Sequence, residues 1–196
     1  MQATVPNPAG FPAHDLEAAR DAVWRMLAEG AANRRAAFHT LTLATVDAEG
    51  WPQARTVTLR AADPVAARLQ FNLDRRAPKY RDLMAEPRAT LHAYSVALKI
   101  QLRLAVRITL HAGDWAAEAA FVRSKPMSRR CYAQAAAPGD TLAAPGAIPQ
   151  TLDPRAQFAV AVAEVEAIDW LFLAHEGHVR AAYARADAWQ GRWRAP

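Results

Sequence analysis

From Ile100 to Ile108 every second residue is a large aliphatic. Ile100, Leu102, Leu104, Val106 and Ile108 alternate with Gln101, Arg103, Ala105 and Arg107. Successive side chains of a strand point to opposite faces, so this period of two predicts a strand buried on one face and solvated on the other. The pattern recurs along the chain. Phe38 to Val46 alternates apolar and polar residues, Asp47-Ala48-Glu49-Gly50 is a turn, and Trp51 to Arg60 resumes the alternation, which predicts a β-hairpin. Leu69 to Leu73, Ala89 to Ala97, Phe158 to Leu173, His178 to Arg185 and Gln190 to Trp193 predict the remaining strands. Three segments have helical spacing. Residues 14 to 30 carry Leu16, Ala19, Val23, Met26 and Leu27 on one face, with Gly30 as the expected stop; Pro78 to Ala85 starts on a proline; Trp115 to Arg123 follows Asp114, its expected N-cap. Ala133 to Pro154, rich in proline and glycine, reads as a long loop. Many antiparallel strands with a few short helices predict a mainly β (α+β) fold: a small barrel with peripheral helices.

The 196 residues suffice for one domain with a sizeable core, and 52% hydrophobic with 22% charged residues excludes disorder and coiled coil. Net charge is +5, and of 24 basic residues only Lys79, Lys99 and Lys125 are lysines. Guanidinium suits phosphate, yet an Ala- and Arg-rich chain can acquire arginines through codon bias, so each one is judged by its surroundings. Basic and aromatic residues are not interleaved as on a nucleic-acid stacking face, so no nucleic-acid partner is expected. The lone Cys131 excludes an internal disulfide and a multi-cysteine zinc site, and the histidines lack metal-ligand spacing, so no metal is expected. Met1 to Asp15 has no apolar segment of signal-peptide length, and no run approaches a membrane span; the chain reads as cytoplasmic, without membrane contact.

Two segments carry basic residues in places suited to a phosphate. Arg55-Thr56-Val57-Thr58-Leu59-Arg60 is a strand with arginine at each end, their odd separation placing them on opposite faces. Asn72-Leu73-Asp74-Arg75-Arg76-Ala77-Pro78-Lys79 is a turn leading into a helix, where unpaired N–H groups and the positive end of the dipole attract anions. Taken alone, the first is equally a solvated strand and the second a basic surface turn. Gln101, Arg103 and Arg107 form a polar strand face that also suits a subunit interface.

In this order the segments resemble the pyridoxamine 5'-phosphate oxidase-like flavoproteins, the FMN-binding split-barrel family, from about residue 36 to the end. The resemblance implies an N-terminal arm and helix (1–35) packed on an antiparallel, Greek-key-like split barrel (36–196), and a homodimer with FMN at the subunit interface. It implies cofactor contacts from Arg55, Thr56, Val57, Thr58, Arg60, Asn72, Leu73, Arg76, Lys79, Gln101 and Phe172. Asp169-Trp170-Leu171-Phe172 and His178-Val179-Arg180 resemble the family's C-terminal segment, and Ser124-Lys125-Pro126 resembles a Ser-Arg-Pro of the true oxidases. Lys125, Arg129, His178 and Arg180 are thereby the expected substrate contacts, for a small anionic molecule. Phe121 and Arg129 stand where that family has hydroxyls, which predicts slow or absent oxidation of pyridoxamine phosphate. The cofactor carries the chemistry in such proteins, so no catalytic dyad is assigned. A non-catalytic FMN- or haem-binding protein on the same fold remains the alternative.

Overall fold

The structure is a computed structural model, and it describes residues 10–146, 148–175 and 177–196. Residues 1–9 of the expected arm lie outside the described residues. The elements are α1 (Leu16–Ala32), β1 (Thr40–Val46), β2 (Pro52–Asp63), β3 (Arg68–Asp74), α2 (Pro78–Ala85), β4 (Arg88–Ser95), β5 (Ile100–His111), α3 (Trp115–Arg123), α4 (Pro126–Arg129), α5 (Pro154–Gln157), β6 (Phe158–Phe172), β7 (Val179–Ala184) and β8 (Gly191–Arg194), with a 3-10 turn at Arg130–Ala133.

Strands β1, β2, β3, β6, β5 and β4 pair antiparallel in that order, and β4 returns to β1 to close a six-stranded barrel. The 15-residue β6 holds the fold together. Along one edge it pairs with β5. Along the other, its first half pairs with β3 and its second half with β7, which β8 then extends. The predicted alternation is the physical basis of closure. Ile100, Leu102, Leu104, Val106 and Ile108 are all buried, as are Leu41, Leu43, Leu59, Leu69, Phe71 and Leu91. On β6 the inward residues Ala159, Ala161 and Ala163 are small, leaving room for Phe71 and its neighbours.

Helix α1 starts where expected, with the Asp15 carboxylate accepting from Ala18 N at 2.9 Å. It does not stop at Gly30 but runs on to Ala32. Gly30 instead permits close approach, because a Cβ there would lie 2.4 Å from the Phe38 carbonyl oxygen. A buried relay ties the helix to the barrel. Trp170 Nε1 donates to the Tyr183 hydroxyl at 3.1 Å, and that hydroxyl donates to Leu16 O at 2.7 Å. Gly191 of β8 lies flat against the same tyrosine; a Cβ would sit 2.6 Å from its ring. Among the described residues no helix is long and apolar enough to cross a membrane.

Candidate functional site

Strand β2 outruns its neighbour. β3 pairs with it only from Leu59 to Asp63, so, among the described residues, 52–58 are paired on the β1 side alone. Leu59 N donates to His39 O, toward β1. Donors alternate along a strand, so Val57 and Arg55 also face β1, while Thr56 and Thr58 turn their N–H and C=O toward the side no strand occupies. The register slips between Leu59 and Ala61, leaving Arg60 in a bulge. The open edge between Arg55 and Arg60 is roughly 17 Å long at about 3.4 Å per residue.

At one end of that edge stands a group of charges. Arg55 Nη1 donates to Thr45 Oγ1 at 2.6 Å, and its Nη2 lies 3.4 Å from Asp82 Oδ2. Thr45 Oγ1 also donates to Asp82 Oδ2 at 3.0 Å. Lys79 is one helical turn before Asp82. Its ammonium is held below the ordinary lysine value of 10.5, first by burial and then by the charge of Arg55, against the opposing pull of Asp74 and Asp82. No described group accepts a hydrogen bond from it. The first turn of α2 has no side-chain cap either, since Ala77 precedes Pro78. A desolvated ammonium, a like-charged guanidinium beside it and an uncapped helix start make a site that an anion would relieve.

Arg76 is different. Its Nε and Nη2 grip the Asp74 carboxylate at 3.0 and 2.6 Å, and its Nη1 donates to Gln134 O at 3.0 Å. The fork expected to meet a phosphate here fastens the loop after the 3-10 turn. The side chains of Val57, Leu73 and Phe172 are core, at 6%, 2% and 1% exposure, so only their backbones are left to meet a ligand.

At the other end of the edge lie Arg60, Tyr132 and the α3–α4 junction. Asn72 Nδ2 donates to Ser124 Oγ at 3.2 Å, while Asn72 Oδ1 is buried without a partner. Arg129 folds back, donating from Nε to Ser124 O at 2.8 Å and from Nη2 to Val122 O at 2.6 Å, and stacks over Phe121. It closes the end of α3. Lys125 is exposed and without a described partner.

The outward face of the barrel is a polar row. Thr56, Thr42, His92, Arg103, Asp169 and Ala182 follow one another across β2, β1, β4, β5, β6 and β7, with Tyr94, Gln101, Leu171 and Arg180 beside them. Asp169 takes Arg180 in a two-point pair at 3.1 and 2.8 Å and Arg103 at 3.0 Å. His178 is exposed, immediately before β7. The four expected substrate contacts therefore fall into two groups. Lys125 and Arg129 adjoin Asn72, opposite Val160 of β6, whereas Arg180 is opposite Leu171. At about 3.3 Å per residue the groups are on the order of 30 Å apart along the strand.

The residues that complete the charge cluster, Thr45 and Asp82, were not singled out in the sequence. Lys79-x-x-Asp82 carried a faint signal, since i and i+3 share a helix face; Thr45 carried none. Taken together, the cation pair, the uncapped helix start and the open edge of β2 fit a planar cofactor bearing a phosphate. Arg55 and Lys79 would hold the phosphate, and the Thr56 and Thr58 backbones the planar part.

Comparison with known proteins agrees. Residues 21–112 match the family described as pyridoxamine 5'-phosphate oxidase, FMN-binding domain. A pyridoxine/pyridoxamine 5'-phosphate oxidase of Anaeromyxobacter dehalogenans is 36% identical over 163 residues, 83% of this chain and 73% of that protein. One from Cupriavidus necator is 36% identical over 99 residues, 50% of this chain and 45% of the relative. Among solved structures, a pyridoxamine 5'-phosphate oxidase-related, FMN-binding protein of Nostoc punctiforme superposes with a TM-score of 0.73 at 23% identity, covering 90% of this chain and 96% of the other. PhzG of Burkholderia lata, crystallised with tetrahydrophenazine-1-carboxylic acid, gives 0.70 at 19% identity, covering 100% and 99%. At these identities the two structures speak for the fold.

Proposed function

The chain belongs to the pyridoxamine 5'-phosphate oxidase FMN-binding family, and from that premise we propose that it is an FMN-dependent oxidoreductase acting on a small anionic substrate. The observation that carries the reading is the Lys79–Arg55 cation pair beside the open edge of β2. Bound FMN supplies an acceptor for the hydride that leaves the substrate. The protein's part is positioning. Asp82 and Thr45 fix the Arg55 fork, so a phosphate meets a donor already oriented. Lys79 has shed much of its water before the ligand arrives, which strengthens its attraction for a dianion. The backbones of Thr56 and Thr58 offer donors and acceptors to a ring edge.

The working unit in this reading is a homodimer. Supporting it are the distance between the Lys125–Arg129 and His178–Arg180 groups within one chain, and the polar outward face, which two copies can bury between them. A second copy would bring one group opposite the other, and a C2 dimer is the commonest oligomer. The experiment is direct. Purified protein is expected to show flavin absorbance at about one FMN per chain and the mass of a dimer by light scattering. It is then offered anionic amines and alcohols, pyridoxine 5'-phosphate included, while hydrogen peroxide is followed. A colourless protein that takes up no added FMN would refute the proposal.

A further inference from the structure

A cleft of about 500 Å³ opens between α1 and two turns, past the C-terminal end of β2. Trp24, Arg25 and Ala28 of the helix form one wall, Val65 of the β2–β3 turn a second, and Trp189, after β7, a third. Its volume falls within the roughly 300–1,000 Å³ of small-molecule sites. From Arg55 to the turn at Pro64 an extended chain covers roughly 30 Å at about 3.3 Å per residue, so the cleft is separate from the charge cluster around Lys79. The two turns are already fixed. Arg185 donates from Nε to Val165 O at 3.1 Å and from Nη2 to the carbonyls of Ala66 and Ala67 at 3.4 and 3.5 Å, while its guanidinium lies 6.0 Å from the centre of the Trp189 ring. Ala188 and Trp189 take left-handed backbone, with φ of 51° and 62°, which is uncommon outside glycine. Their N–H groups donate to Arg185 O and Ala184 O, each at 3.0 Å, and hold them there.

We propose that this cleft is a second ligand site, distinct from the flavin site, and that it takes a planar aromatic carboxylate. The argument is one of unused groups, and all of them are donors. Trp24 is buried at 7% exposure, yet its Nε1 makes no hydrogen bond and is not sealed. Trp189 Nε1 is likewise unbonded and unsealed. Arg25 is exposed, and no described carboxylate pairs with it, Glu29 one turn on included. The acids at the rim are spent. Arg20 donates twice to Asp21 Oδ1, at 3.1 and 3.0 Å, and its Nη2 lies 3.7 Å from Glu17 Oε1. One uncompensated positive charge remains beside two indoles. A guanidinium edge meets both oxygens of one carboxylate, and the indoles offer flat apolar area to a ring. A cationic ligand would suit the indoles but face the free Arg25 charge. A phosphate monoester brings close to two charges against one free cation, with Asp21 nearby.

The test labels the full chain with 5-fluorotryptophan and titrates it with 2-naphthoate, its neutral counterpart 2-naphthamide and 2-naphthyl phosphate, followed by fluorine NMR. The Trp189 signal, assigned by Trp189→Phe, should move with 2-naphthoate. The signal of Trp51, in the β1–β2 turn and assigned in the same way, should not. Arg25→Gln removes an exposed charge that pairs with nothing described, so the fold should stand. It should weaken 2-naphthoate by about tenfold or more, the loss of hydrogen bonds between charged groups. Ala28→Glu, which sets a carboxylate in the cleft on a helix-favouring side chain, should weaken it further. Arg34→Gln removes the same charge from an exposed place beyond the end of α1, more than a Debye length away, and should leave affinity unchanged. Binding of the amide or the phosphate ester as tight as that of the carboxylate would overturn the proposal. So would unchanged affinity in Arg25→Gln, or a shift of Trp51 in place of Trp189. The titration is run with and without saturating FMN and should give the same affinity in both, so this outcome is read separately from that of the cofactor reading.

Discussion

Replacing Lys79 by methionine should move ligand affinity and protein stability in opposite directions. Methionine keeps the length and apolar bulk of the lysine stem and removes the charge. In the ligand-free protein that charge is unfavourable, since burial and the neighbouring Arg55 both act against it. Removing it should raise the stability of the apo protein by about 1 kcal/mol, the usual yield of relieving a poorly placed charge, or roughly 2–4 °C for a chain of this size. In the complex the same ammonium would donate to a phosphate, and a hydrogen bond between charged groups is worth roughly 1.5–3 kcal/mol. FMN affinity should therefore fall by about 10- to 150-fold. Fluorescence titration with FMN measures the second effect and thermal unfolding of the stripped protein the first. An apo protein clearly destabilised by the change, with FMN affinity intact, would mean that Lys79 is a structural residue, and the anion-site argument would fail.

Protonation of the same lysine sets a pH dependence. The free protein releases the Lys79 proton below the ordinary 10.5, whereas a bound phosphate would retain it, so FMN affinity should be full below the depressed value and decline as pH rises through it. Lys79→Arg should flatten that decline, and the apo wild type should gain stability over the same interval, because there the unfolded chain still holds a proton that the folded chain has lost. Arg76→Ala leaves the buried Asp74 carboxylate without its fork and frees the carbonyl of Gln134; a loss of about 2–3 kcal/mol in urea unfolding is expected, with faster proteolysis between residues 134 and 152. Tyr183→Phe should cost about 1–3 kcal/mol, since Trp170 Nε1 and Leu16 O then lose their shared partner in a buried place.

What the sequence revealed follows from how local each cause is. Strand β5 was legible because one buried face imposes a period of two, and α2 and α3 because a proline at the first turn and an aspartate cap are written beside them. The end of α1 was misread at Gly30. The reason for that glycine is the carbonyl of Phe38 eight residues on, and proximity of that kind has no local signature. Arg76 stands at a helix start, where a phosphate ligand is expected, and its fork pairs with Asp74 only two residues away. Arg55 and Lys79 were expected from the resemblance, whereas Thr45 and Asp82, which orient Arg55, are 10 and 27 residues from it and meet it only in the folded barrel.

Strand β6 has a consequence for how the chain is made. Among the described residues it is the only element that pairs with both β3 and β5, and it comes after residue 157. On the ribosome, β1 to β5 emerge first as a curved sheet with two unpaired edges, and those edges must wait for the last quarter of the chain. Contacts of such long sequence separation are slow to form, and exposed edges invite pairing with other chains. A delay in translation just before Phe158 would therefore be expected to raise aggregation, and a chaperone that shields the β3 and β5 edges would act during that interval, before there is a barrel to protect.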